Sequence, residues 1–168
     1  MNTLKSAVVA LAATLVVSAF AGEAVTDRLG FVADSLGPAN AWRLIPSVLL
    51  QHCSQRVPQL AQPMGEVFNA WSTKNQDLIS LVDRTVSKAA TAYASAFAIG
   101  DSEARDRINA TTTQLIVENY LQDERVSAFQ VCSDYEKIVT SLSAPGKTAV
   151  VRGQVYAVEA SLLSRASK

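Results

Sequence analysis

Apolar residues recur every three or four positions along most of the chain, and strict alternation is rare, so the pattern predicts helices and not strands. A short helix is expected over residues 27–36, closed by Gly37-Pro38. Five longer ones follow. The first covers 40–56, with Asn40 as its N-cap and Leu44, Ile45, Val48, Leu49 and Cys53 on its apolar face. Pro46 is expected to bend it or to restart it near Ile45, and Val57-Pro58 ends it. The second, over 63–96, opens on Pro63 and is the longest. Its stripe is Met64, Phe68, Trp71, Leu78, Val82, Thr85, Ala89, Tyr93 and Ala96, and Gly100-Asp101 breaks it.

The third helix starts at Asp101-Ser102-Glu103, carries Ile108, Leu115, Ile116 and Tyr120, and stops near Gln122-Asp123. The fourth carries Val126, Phe129, Cys132, Tyr135, Val139 and Leu142, and ends at Ser143-Ala144-Pro145-Gly146. The fifth is capped by Thr148 and carries Val151, Val155, Val158 and Leu162, with Gly153 as its weak point. Short joints between such helices predict an all-α, four- to five-helix antiparallel bundle forming one domain over 22–168.

Residues 1–21 are set apart from this domain. Met1 to Lys5 carries one positive charge, Ser6 to Ser18 is apolar, and Ala19-Phe20-Ala21 offers small residues where a signal peptidase reads them. The apolar run is too short to span a bilayer. The expectation is a Sec-type signal peptide cleaved after Ala21, and a periplasmic or secreted protein. The Ala-rich leader has a bacterial character, so Asn109-Ala110-Thr111 is read as a chance sequon. No second long apolar run follows, so no stable membrane insertion is expected after cleavage.

Removing the leader changes the charge little. The whole chain has 15 basic and 15 acidic residues, and only Lys5 leaves with the leader. A near-neutral protein has no field to attract nucleic acid. The two cysteines, Cys53 and Cys132, match no zinc spacing and form no C-x-x-C pair. An oxidising compartment favours joining them in a disulfide.

Candidate chemistry is sparse. His52 is the single histidine, and its neighbour Cys53 is committed to the bridge. No metal motif, phosphate loop or cofactor motif is present. Arg84 and Lys88, together with Arg105 and Arg107, place four cations near one helical hairpin as a possible anion-binding set. This clustering resembles that of exported helical chorismate mutases, which implies a small dianionic substrate. The competing reading is a solvated face countered by Asp83, Asp101, Glu103 and Asp106. Asn75 interrupts an apolar stripe four residues after Trp71; it either sets helix register or lines a small binding cavity with Trp71 and Phe68.

Cys53, then Pro58, Phe68, Trp71, Asn75 and finally Cys132 resembles a pattern found in uncharacterised exported helical proteins of Gram-negative bacteria. That resemblance implies export, helices and the bridge, and no activity. The leading expectation is a non-catalytic periplasmic protein that binds another exported protein, of inhibitor, immunity or chaperone type. Such a protein should expose an apolar patch or groove. The second expectation is a small-ligand carrier with Phe68, Trp71, Tyr93, Tyr120, Phe129 and Tyr135 around an inter-helix cavity. The third is the chorismate-mutase-like enzyme.

Overall fold

A computed structural model describes residues 22–122 and 128–166, with side chains described for 34–122 and 129–164. The leader, Asp123 and Val126 lie outside the described residues. The described chain forms α1 (Gly22–Arg56), a 3-10 turn (Pro58–Leu60), α2 (Ala61–Lys74), α3 (Gln76–Phe97), α4 (Asp101–Tyr120), α5 (Ala128–Ser133), α6 (Tyr135–Leu142) and α7 (Pro145–Ala166). These elements make an all-α bundle with one disulfide, Cys53 to Cys132.

The first difference from the expected pattern is at the start. Neither Gly37-Pro38 nor Pro46 stops α1, and Asn40 lies inside it rather than capping it. An interior proline removes one backbone bond and costs about 3 kcal/mol. The offset comes from burial. Leu36, Ala39, Trp42, Ile45, Leu49 and Cys53 form one unbroken buried stripe across both prolines. Pro46 is itself fully buried, and its carbonyl accepts the Tyr135 hydroxyl at 2.9 Å. Burial pushes the Tyr135 phenol up from its ordinary value, so it stays a donor.

The second difference is that the long helix over 63–96 is two helices bent at Asn75. The i to i−4 ladder continues through the joint, with Asn75 N–H donating to the Trp71 carbonyl at 3.0 Å and Ile79 N–H to the Asn75 carbonyl at 2.9 Å. The Asn75 side chain competes for the same acceptor: its Nδ2 donates to the Trp71 carbonyl and to Ser143 Oγ, each at 2.9 Å. Short polar side chains disturb helices in this way. Asp134 makes a similar joint between α5 and α6, where one helix was expected.

Two helix ends also depart from expectation. α3 is closed by Ala98 at φ 52°, not by Gly100, which precedes α4 in an extended conformation. Pro145 and Gly146 open α7 instead of ending its predecessor. Thr148 therefore sits in its first turn, donating to the Pro145 carbonyl at 3.1 Å. Proline suits a first helical position because its missing N–H would have no intrahelical partner there.

In the packed molecule α1 touches every other helix. α4 and α7 each pack on both α1 and α3. They use opposite faces of α3: Asp83, Ala90 and Ala94 meet α4, whereas Thr85 and Lys88 meet Glu159 of α7. The other end is built around Trp42 and Trp71, whose rings lie 5.1 Å apart, with α2 and α6 closing over them. Trp42 Nε1 donates to the Leu142 carbonyl at 2.9 Å. No described helix is long and apolar enough to cross a membrane.

Two stability outcomes follow. The disulfide spans a sequence separation of 79 and both its cysteines are buried. Replacing Cys53 and Cys132 together by alanine should lower the unfolding free energy by about 4.5 kcal/mol in urea titrations, the chain-entropy value for such a loop. An alanine at positive φ is strained where glycine is not, so Ala98→Gly should raise stability by about 1 kcal/mol in the same titration.

Candidate functional site

The polar side chains that the fold brings together are not those the sequence singled out. Asn40, Arg43, Asp83, Arg105, Asn109 and Thr112 form one network joining α1, α3 and α4. Asn40 is fully buried, and its Nδ2 donates to Asn109 Oδ1 at 3.2 Å and to Thr112 Oγ1 at 3.0 Å. Arg43 donates through Nε and Nη2 to Asn40 Oδ1 at 3.2 and 2.8 Å, and through Nη2 to Asn109 Oδ1 at 3.0 Å. Its Nη1 lies 3.1 Å from Asp83 Oδ1, and Arg105 Nη2 reaches that same oxygen at 2.8 Å. Burial pulls the Arg43 guanidinium below its ordinary value, Asp83 opposes this, and Arg105 adds to it. The donors are spent on protein acceptors, so the network is a clamp between three helices, not an open anion site.

A sequence signal for this clamp existed. Asn40 follows Leu36 by one helical step, and Thr112 stands one step after Ile108 and one before Ile116. Polar residues on apolar stripes need partners.

The four candidate anion ligands fall at three places. Arg105 belongs to the clamp. Arg107 pairs with Glu103 one turn away on α4, at 2.6 Å. Lys88 pairs with Glu159 at 2.7 Å, and Arg84 is exposed on α3 with its charge felt at the same carboxylate. The hydrogen bond from Lys88 holds the Glu159 carboxyl below its usual range. A lowered folded value means that this pair supports the fold above the ordinary carboxyl range and loses that support as pH falls through it. His52 is half-buried with Nε2 unpartnered; burial, then the Arg56 charge, pull it below its ordinary value.

Phe68 and Trp71 do not share a common cavity with the other aromatics. Trp71 packs on Trp42, Tyr135 is bonded to the Pro46 carbonyl, and Phe129 is 61 % exposed. A small cleft of about 210 Å³ does lie where α2 meets α6, lined by Val67, Trp71, Lys74, Glu136, Val139 and Ser143. Trp71 Nε1 is buried there without a partner, and Asn75 closes the cleft from behind through its bond to Ser143.

The larger opening is elsewhere. A groove of about 350 Å³ lies between α1, α3 and α4. Leu36, Ala89, Tyr93, Ile108 and Leu115 make it apolar, and Asp34 and Arg107 stand at its rim. The Tyr93 ring lies 4.4 Å from that of Phe97, which is largely exposed and extends the apolar surface along α3. Thr112 joins the groove to the clamp, because it lines the first and accepts from Asn40 in the second.

No family model matches the chain, and comparison with curated proteins and with solved structures returns no match. Among the described residues no group of three His, Cys, Asp or Glu side chains is placed to hold a metal ion.

If Arg43 ties the three helices, its replacement should be costly where that of an exposed cation is not. Arg43→Met leaves Asn40 Oδ1 without its donors and should lower the unfolding free energy by about 2–3 kcal/mol. Arg84→Met should change it by about 0.5 kcal/mol or less. Paired urea titrations check both.

Proposed function

We propose that this is an exported, non-catalytic binding protein that uses the α1–α3–α4 groove to hold an apolar segment of another exported protein. The groove carries the reading. Its volume is about 350 Å³, its lining is apolar, and it continues onto exposed Phe97 and Leu115. An apolar face of this kind suits a protein that works by association. The leader-like residues 1–21 and the buried disulfide support an oxidising destination outside the cytoplasm, with cleavage after Ala21. The resemblance to exported helical proteins with a Cys, Pro, Trp, Asn, Cys pattern supports the same destination. Non-catalytic action is supported by the groove's few charged groups: Asp34 and Arg107, the latter engaged by Glu103.

A second reading is favoured by the volume alone. About 350 Å³ falls within the range of small-molecule sites. A carrier of a small apolar ligand would use the same walls, and not the set of aromatics around Trp71.

Leu115→Glu tests the site, because Leu115 is half exposed and a charge there enters the groove without entering the core. The protein recovered from the periplasmic fraction should begin at Gly22, carry the disulfide and co-purify with a discrete protein partner, which Leu115→Glu should lose while keeping its helical circular dichroism. A partner held equally by both forms would refute the groove. Recovery of a small molecule instead would favour the carrier.

A further inference from the structure

Three buried polar atoms among the described residues have no hydrogen-bond partner: His52 Nε2, Trp71 Nε1 and Gln154 Oε1. A buried donor or acceptor left unpaired is costly, because it gives up water and gains nothing. Trp71 differs from the other two in that it also lines an opening, the cleft of about 210 Å³ between α2 and α6. The residue is 5 % exposed, and an indole N–H can only donate. Whatever satisfies it must bring an acceptor into the cleft. Trp42, whose ring lies beside it, shows the satisfied arrangement: its N–H donates to a backbone carbonyl, that of Leu142.

The cleft is charged at its two ends and apolar between them. Lys74 stands on α2 next to Asn75, whose side chain is tied to Ser143 Oγ. Glu136 stands on α6 two helical turns before Ser143, about 10 Å back along the axis. The two charges therefore mark opposite ends. Both residues are exposed, and neither makes an ion pair among the described residues. Trp71, one turn before Lys74, falls between the ends, where Ala70 and Val139 supply apolar wall.

We propose that this cleft binds a dipeptide with small side chains. In order along the cleft stand an ammonium (Lys74), an indole N–H (Trp71) and a carboxylate (Glu136). A dipeptide presents the complementary groups in the same order: a carboxylate, a peptide carbonyl and an ammonium. Its length fits. A residue spans at most about 3.5 Å, so the terminal charges lie roughly 7 Å apart, and the side chains of Lys74 and Glu136 close the remainder. The volume is below that of sites for drug-sized ligands and suits a small one. Water does not reach Trp71 Nε1, so the peptide carbonyl meets it by parting the walls of the cleft. An amino acid of the same length with a plain methylene chain offers both charges but leaves the indole N–H unpaired. The cleft shares no lining residue with the α1–α3–α4 groove and does not depend on the groove reading.

Titration of the purified, disulfide-bonded protein with L-alanyl-L-alanine, followed through the indole N–H signals by nitrogen-edited NMR, tests the proposal. The two signals come from Trp42 and Trp71, and Trp71→Phe assigns them. The expected result is a saturable downfield movement of the Trp71 signal in the millimolar range, while the signal of Trp42, already bonded to Leu142, moves little. δ-Aminovalerate, which has the end charges without the carbonyl, should leave the Trp71 signal in place. Calorimetry then compares variants. Trp71→Phe should keep its helical circular dichroism and lose the dipeptide. Lys74→Met and Glu136→Gln should each weaken binding about fivefold, the size of an exposed ion pair. A Trp71 signal that stays still, an equal shift with δ-aminovalerate, or unchanged affinity in any of the three variants overturns the dipeptide site.

Discussion

The uninterrupted buried stripe on α1, from Leu36 to Cys53, is the constraint on which the rest of the molecule depends. Two prolines stand within that helix, and each removes a rung of its hydrogen-bond ladder. A helix broken at either place would turn part of the stripe away from the core. Burial of six apolar side chains outweighs the two lost bonds, at roughly 2 kcal/mol for a large buried side chain. One helix can then serve as the common partner of all the others.

The helices that pack on α1 are fixed by a few specific ties. The disulfide fastens α5 to its C-terminal end. The Arg43 clamp fastens α3 and α4 near its middle. The Tyr135 hydroxyl reaches the Pro46 carbonyl between them. Buried polar ties of this sort add less net stability than the apolar stripe, yet a misplaced helix would leave their donors and acceptors unpaired. They therefore select one packing among the many that a set of apolar helices could adopt.

The groove belongs to the α4 side of the α1–α3 pair. The Arg43 clamp lies against it through Thr112, so the shape of the groove depends on the clamp.

Local residue chemistry determined the helical class and pointed to the pairing of Cys53 with Cys132, because helical periodicity is written along the chain and its two cysteines match neither a zinc nor a C-x-x-C spacing. It also marked Asn75 as a polar residue in an apolar seam. Tertiary packing decided what local rules could not weigh. It carried α1 through Pro38 and Pro46, because burial outside the local window exceeds a local backbone cost. It bent the long helix at Asn75, because Ser143 across the bundle supplies the second partner of that amide. It set Arg105 beside Asp83, Arg107 beside Glu103, and Lys88 and Arg84 near Glu159, and it drew Arg43 inward, where partners from other helices converge. The groove is likewise a property of the assembly: a residue is exposed or buried only once its neighbours from distant segments are in place.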